Sequence, residues 1–254
     1  MPYPDSDCNC STIKTTDTLY AVACEDIEAD TVLFTVPRSV ILSSHTSGLA
    51  AAIPGIFDPG FMQTSVDTDE MDTDDFDDDE AHDSWSILIL VLIYEYLLGD
   101  KSRWGAYINI LPREFDTPMF WTADEVNELQ ASPLVNRIGK TDADALIMRK
   151  VVPIVRQYQN VFFGGGQTVL SDDEILALAH RMGSTIMAYA FDLEKDDEEK
   201  GETEDGWTED KEGRGLLGMV PMADLLNANA QFNVSSSDVA KHIGGKTHLL
   251  TRRT

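Results

Sequence analysis

One apolar run constrains this chain more than anything else in it: Trp85-Ser-Ile-Leu-Ile-Leu-Val-Leu-Ile-Tyr-Glu-Tyr-Leu-Leu98. At 14 residues with Glu95 inside, it falls short of the roughly 20 needed to span a bilayer, so it predicts a helix buried in a protein core. The remaining sequence must then supply the surfaces that bury it, which asks for a sizeable globular domain. Hydrophobic residues make up 43% of the 254, enough for such a core.

The formal charge of −26 is unevenly spread. Asp67 to Asp83 holds eleven acids and no Lys or Arg, and Asp192 to Glu212 holds twelve against Lys195, Lys200 and Lys211. Setting aside that net −11 and net −9 leaves −6, ordinary for a folded domain. Runs of this kind cannot bury enough apolar surface to pack, and read as solvated loops. Their field disfavours nucleic acid and steers basic proteins. Cys8, Cys10 and Cys24 lack the partners of a zinc site, and the five histidines show no metal spacing. A reduced compartment, nucleus or cytoplasm, is expected, with no membrane partner and a monomeric state. Met1-Pro-Tyr-Pro-Asp5 lacks the basic start and apolar centre of a signal peptide.

Taken in order, residues 1–16 are polar and read as frayed. Thr18–Cys24 and Thr31–Val36 are β-branched runs around turn residues and predict a hairpin. Ser43–Met62 reads as a Gly/Ala/Pro-rich connection. Thr122-Ala-Asp-Glu125 and Ser171-Asp-Asp-Glu174 carry capping-box spacing and start helices. Asp142–Phe162 predicts a helix interrupted at Pro153. Gly164-Gly-Gly166 reads as a linker, without the Lys-Ser/Thr of a phosphate-binding loop. Beyond Ser171, Ile175, Leu178, Met182, Ile186 and Tyr189 fall on one helical face. Gly215–Val220 is a short apolar strand that Pro221 ends. Met222–Leu226 predicts one helical turn, with Asp224 placed to take free backbone N–H groups and Asn227 and Asn229 following as turn residues.

Met219-Val-Pro-Met-Ala-Asp-Leu-Leu-Asn227 resembles the Val-Pro-x-Ala-Asp-x-Leu-Asn-His segment of SET-domain lysine methyltransferases, in the branch of the Rubisco and ribosomal-protein enzymes. Glu25–Ser39, the Trp104-Gly-Ala-Tyr107 and Leu111-Pro112 pair, Thr117-Pro-Met-Phe-Trp121 and Ala188-Tyr-Ala-Phe191 resemble further motifs of that branch, so the likeness covers roughly residues 18–233. It implies an α+β fold: a SET-domain β-fold interrupted by a helical insertion, with the closing strands and the C-terminal helical domain missing. The expected parts are a disordered N-terminus (1–17), SET strands (18–46), an acidic linker (47–83), the insertion (84–191) and an acidic loop (192–213). An incomplete C-terminal SET segment (214–233) and an atypical basic tail (234–254), read as an altered or truncated ending, complete the series.

The resemblance also implies S-adenosyl-L-methionine as cofactor and methylation of a lysine in a basic protein, a ribosomal protein being expected. Matched position by position, Thr18, Leu19, Tyr20, Tyr189, Asn227 and Ala228 fall on the cofactor side, and Trp104, Ala190 and Asp192 near the substrate lysine. Thr18, Leu19 and Tyr20 stand where the family has a Gly-x-Gly loop, and side chains there restrict φ and fill space. Ala228 replaces a histidine, leaving only backbone contact. The family's catalytic tyrosine motif has no counterpart here, so no catalytic residue is assigned. Groups that act together in a transition state are not lost singly without large cost, so weakened or absent catalysis is expected. Two other readings stay open: a catalytically dead SET protein that binds a basic partner, and an acidic helical interaction module.

Overall fold

The computed structural model describes residues 10–15, 18–23, 32–58, 61, 79–130, 132–164, 169–193, 216–225, 240–243 and 246–250. β1 (Cys10–Thr15) and β2 (Thr18–Ala23) pair antiparallel, and β3 (Val32–Pro37) follows. A single-turn helix α1 (Leu49–Ala52) precedes the helical block: α2 (Asp79–Leu98), α3 (Gly105–Ile110), α4 (Ala123–Glu128), α5 (Lys140–Lys150), α6 (Val152–Gln157), α7 (Gln159–Phe162) and α8 (Asp172–Tyr189). β4 (Ala190–Leu193) continues from α8 and pairs antiparallel with β5 (Leu216–Met219). β6 (Ala240–Ile243) and β7 (Lys246–Leu250) form an antiparallel pair, and β7 also pairs with β3, giving the order β3-β7-β6.

The apolar run is the central helix. Leu88 to Ile93 are all buried in succession, as a helix that is apolar on every side must be. Helix α8 packs along it, and the approach is close at Gly183, where a Cβ would stand 2.5 Å from the Trp85 ring. Glu95, the acid inside the run, is buried too, and the Ser47 and Ser102 hydroxyls donate to its two oxygens at 2.7 and 2.6 Å. Those bonds replace the water that the carboxylate loses on burial. Among the described residues no helix is long and apolar enough to cross a membrane.

Local signals behave as expected. Both capping boxes form: Glu125 N–H donates to the Thr122 hydroxyl and Glu174 N–H to that of Ser171, while each glutamate accepts the cap's own backbone N–H at 2.7 Å. Pro153 lies at the start of α6, where it separates α5 from α6, and a further break at Tyr158 separates α6 from α7. Ile175, Met182 and Ile186 are buried on α8, with Leu178 and Tyr189 packed at the margin.

Four expectations are corrected. Fraying of the N-terminus does not extend to Cys10–Thr15, which form β1. The β2–β3 hairpin does not form, because β2 takes β1 and β3 takes β7. The connection after β3 is not a bare linker, since Leu49, Ile53 and Ile56 are buried in the main core; at its far end the central helix starts at Asp79 instead of Ser84. The closing strands and the basic tail also read differently, because Ala240–Ile243 and Lys246–Leu250 are strands that cover the edge of β3. Strand partners are chosen by long-range pairing, which turn residues between two runs do not reveal. The acidic stretches 67–78 and 194–212 lie outside the described residues.

Candidate cofactor and substrate site

The site grows from β5. Beyond Gly218 the chain runs through Met219, Val220 and Pro221 into a tight 3-10 turn over Ala223–Leu225. Met222, at the entrance, has φ +77°, a left-handed conformation that is costly for a residue with a long side chain. Asp224 lies in this turn, where the neighbouring backbone of Met222, Asp224 and Leu225 favours its charged form. Its carboxylate accepts the Tyr107 hydroxyl at 2.8 Å, across 117 positions of sequence.

Tyr107 comes from α3, whose start is fixed by Trp104. The Trp104 indole N–H donates to the Val40 carbonyl at 2.8 Å, and the Arg103 guanidinium lies 4.1 Å above its ring. Gly105, next to it, has no room for a Cβ, which would stand 2.6 Å from the Gly99 carbonyl oxygen. Burial raises the Tyr107 phenol far above the ordinary tyrosine range, and the Asp224 charge, their hydrogen bond and nearby Tyr189 add to that. Burial also raises the Asp224 carboxyl, and the hydrogen bonds it accepts offset only part of the rise. Tyr107 is therefore neutral at neutral pH and donates its hydroxyl proton to the hydrogen bond with the Asp224 carboxyl.

Strand β2, carrying Thr18, Leu19 and Tyr20, lies against the Ala223–Leu225 turn, so an early segment of the chain meets a late one. Tyr189, at the last position of α8, is partly buried and close to Tyr107. Ala190 and Asp192 follow on β4, opposite Met219 and Leu217, and Asp192 is exposed. Trp104 is buried in the main core beside the same helix turn that carries Tyr107. Asn227 and Ala228 lie outside the described residues. Tyr107 is the residue that sequence reasoning passed over as packing. Its signal was the Trp104-x-x-Tyr107 spacing, one helical turn that joins an anchor to a polar tip. Among the described residues no group of three or more His, Cys, Asp or Glu side chains is placed to hold a metal ion.

No protein-family model matches the chain. It is 31% identical over 214 residues to ribosomal lysine N-methyltransferase 4 of Saccharomyces cerevisiae, a match covering 82% of this chain and 38% of that protein. It is 27% identical over 219 residues to the human N-lysine methyltransferase SETD6, covering 84% of this chain and 38% of the relative. The chain thus spans about four-tenths of the length of the curated relatives it matches. Among solved structures, the SET domain of LSMT bound to lysine and AdoHcy superposes with a TM-score of 0.61 at 20% identity, over 98% of this chain and 48% of that one. Rubisco LSMT bound to AdoMet gives 0.60, also at 20% identity, over 98% and 46%. The chain is thus similar in sequence, over most of its own length, to protein-lysine N-methyltransferases, and it shares the fold of the LSMT SET domains.

Proposed function

We propose that the protein methylates a lysine in a basic protein substrate, a ribosomal protein in the first instance, using S-adenosyl-L-methionine. The observation that carries this reading is the meeting of β2 with the Ala223–Leu225 turn, beside the Tyr107–Asp224 pair and Tyr189. Two segments from opposite ends of the chain, a partly buried tyrosine and a partly buried acceptor beside them suit a small polar ligand that is held largely by backbone. The backbone of Thr18–Tyr20, the Tyr189 ring, the Asn227 amide and the Ala228 backbone would hold the cofactor. Once bound, the cofactor supplies an electrophilic methyl group. Trp104, Ala190 and Asp192 would border the approach of the lysine, whose amine is easier to deprotonate where it is desolvated.

The acidic stretches support a basic substrate by long-range attraction. Action as a monomer in the nucleus or cytoplasm, without nucleic acid, belongs to the same proposal. Thr18, Leu19 and Tyr20 in place of the glycine loop, and Ala228 in place of the histidine, favour a second reading in which the chain binds a basic partner without chemistry. Titration calorimetry with S-adenosylmethionine, followed by mass spectrometry of ribosomal proteins incubated with both, separates the two. Heat of binding and a new methyl mass on lysine are expected. Binding of a basic protein without cofactor heat or thermal shift would move the conclusion to the second reading.

A further inference from the structure

We propose that Tyr107 and Asp224 form a positioning pair: the phenol from the helical insertion anchors the carboxylate, the carboxylate holds Met222–Leu225 in its strained turn, and the shape of that turn sets cofactor affinity. This rests on the cofactor reading above and assigns neither residue to contact with the cofactor. The turn is short of internal support. Its internal bonds are the Ala223 N–H to Val220 carbonyl bond at 3.1 Å and the Leu225 N–H to Met222 carbonyl bond at 3.3 Å, and the Asp224 carboxyl sits beside the backbone of Met222 and Leu225. Met222 at φ +77° is half exposed, so no packing of its own side chain imposes that conformation. A residue with a Cβ stays there only when its surroundings over-determine it, and here buried Val220 and Ala223 on either side and the Asp224 carboxyl surround it.

The carboxylate in turn needs an anchor, because a side chain held only by the loop it organises could move with that loop. Tyr107 supplies the anchor from a rigid element, with Trp104 fixed to Val40 one turn earlier. The hydroxyl has a single proton and gives it to Asp224, so the pair is directional. Asn227, matched to cofactor holding, comes two positions after the described turn in sequence, and β2 lies against that turn. The insertion thereby reaches the cofactor cleft through one hydrogen bond.

Four variants of the 254-residue chain test this. Tyr107→Phe deletes the bond and leaves the ring, and an S-adenosylmethionine Kd about ten-fold weaker is expected by calorimetry, the equivalent of one hydrogen bond. Met222→Gly removes the cost of the positive φ, so the double variant Tyr107→Phe/Met222→Gly should recover to within about three-fold of the parent. Asp224→Asn keeps an acceptor oxygen for the backbone and an N–H for the phenol oxygen, and should lose less than Asp224→Ala. Unchanged affinity in Tyr107→Phe would overturn the pair, and so would failure of Met222→Gly to restore it. Amide hydrogen exchange at Met222, Asp224 and Leu225 without cofactor reads the turn directly, and Tyr107→Phe should accelerate it several-fold. If the parent binds no cofactor, the functional reading fails alone, and exchange left unchanged by Tyr107→Phe would sink the pair.

Discussion

Leu42 and Met219 exchange both backbone hydrogen bonds: Leu42 N–H donates to the Met219 carbonyl at 2.9 Å, and Met219 N–H to the Leu42 carbonyl at 2.8 Å. Both side chains are fully buried in the main core. This antiparallel bridge ties the segment after β3 to β5, and everything from α2 to α8 loops out between them. It explains how a chain interrupted by a long helical block still brings β2 to the Asp224 turn. An acidic helical module without a sheet is not what these residues build, because β5 joins β4 on one side and Leu42 on the other.

Gly218 lies one residue from that bridge. A Cβ there would stand 2.5 Å from Leu193 Cδ1 and 3.2 Å from Ile41 Cγ2. Gly218→Val should therefore overpack the junction between β4 and the segment after β3, and destabilise the chain by about 1–3 kcal/mol. Urea unfolding of the two proteins measures it, and an unchanged midpoint would contradict the tightness of this contact.

Glu95 tests the buried carboxylate in the central helix. Ser102→Ala removes a hydroxyl that donates to Glu95 at 2.6 Å and accepts the Trp104 N–H at 3.1 Å. Because the oxygen left behind is shut away from water, a loss of about 1.5–3 kcal/mol is expected, larger than for an exposed serine. Removing Ser47 as well should cost more than the two single losses together, since the carboxylate then keeps neither donor. A double-mutant cycle read by chemical unfolding checks this.

Glu174 predicts a pH dependence with a definite sign. The Ser171 backbone N–H and hydroxyl hold its carboxyl below the ordinary 4.5, so the folded state prefers the charged form. Its contribution is fully present above 4.5 and fades as pH falls through the depressed value. The stability difference between the parent and Glu174→Ala should therefore be larger at pH 7 than at pH 3. Ser171→Ala, which deletes the cap itself, should cost about 1 kcal/mol at neutral pH. Asp224 runs the other way: burial raises its carboxyl, so its titration favours the fold below 3.8 and that advantage is lost as pH rises through the raised value. Unfolding curves across this range, with and without Asp224→Asn, separate the two signs.

Tyr189 tests the functional reading at a side chain rather than through the backbone. It closes α8 beside Tyr107, at the junction with β4. If it stacks on or bonds to S-adenosylmethionine, Tyr189→Ala should weaken the cofactor Kd by about ten-fold or more, with only a modest loss of stability from a partly buried position. Calorimetry beside a thermal melt reads both, and full affinity would remove Tyr189 from the cofactor side.

What the sequence determined alone was local. The burial of Leu88–Ile93, the capping boxes at Thr122 and Ser171, the break at Pro153 and the end of β5 before Pro221 each depend on residues within a turn or two, where spacing and hydrogen-bond inventory decide the outcome. The motif around Asp224 marked the right turn for the same reason. Only the tertiary structure decided that β3 pairs with β7 instead of β2, that Leu42 bridges Met219, and that Tyr107 donates to Asp224. These contacts join segments far apart in the chain. Which one forms depends on how the whole core closes around α2, and no window of sequence contains both partners.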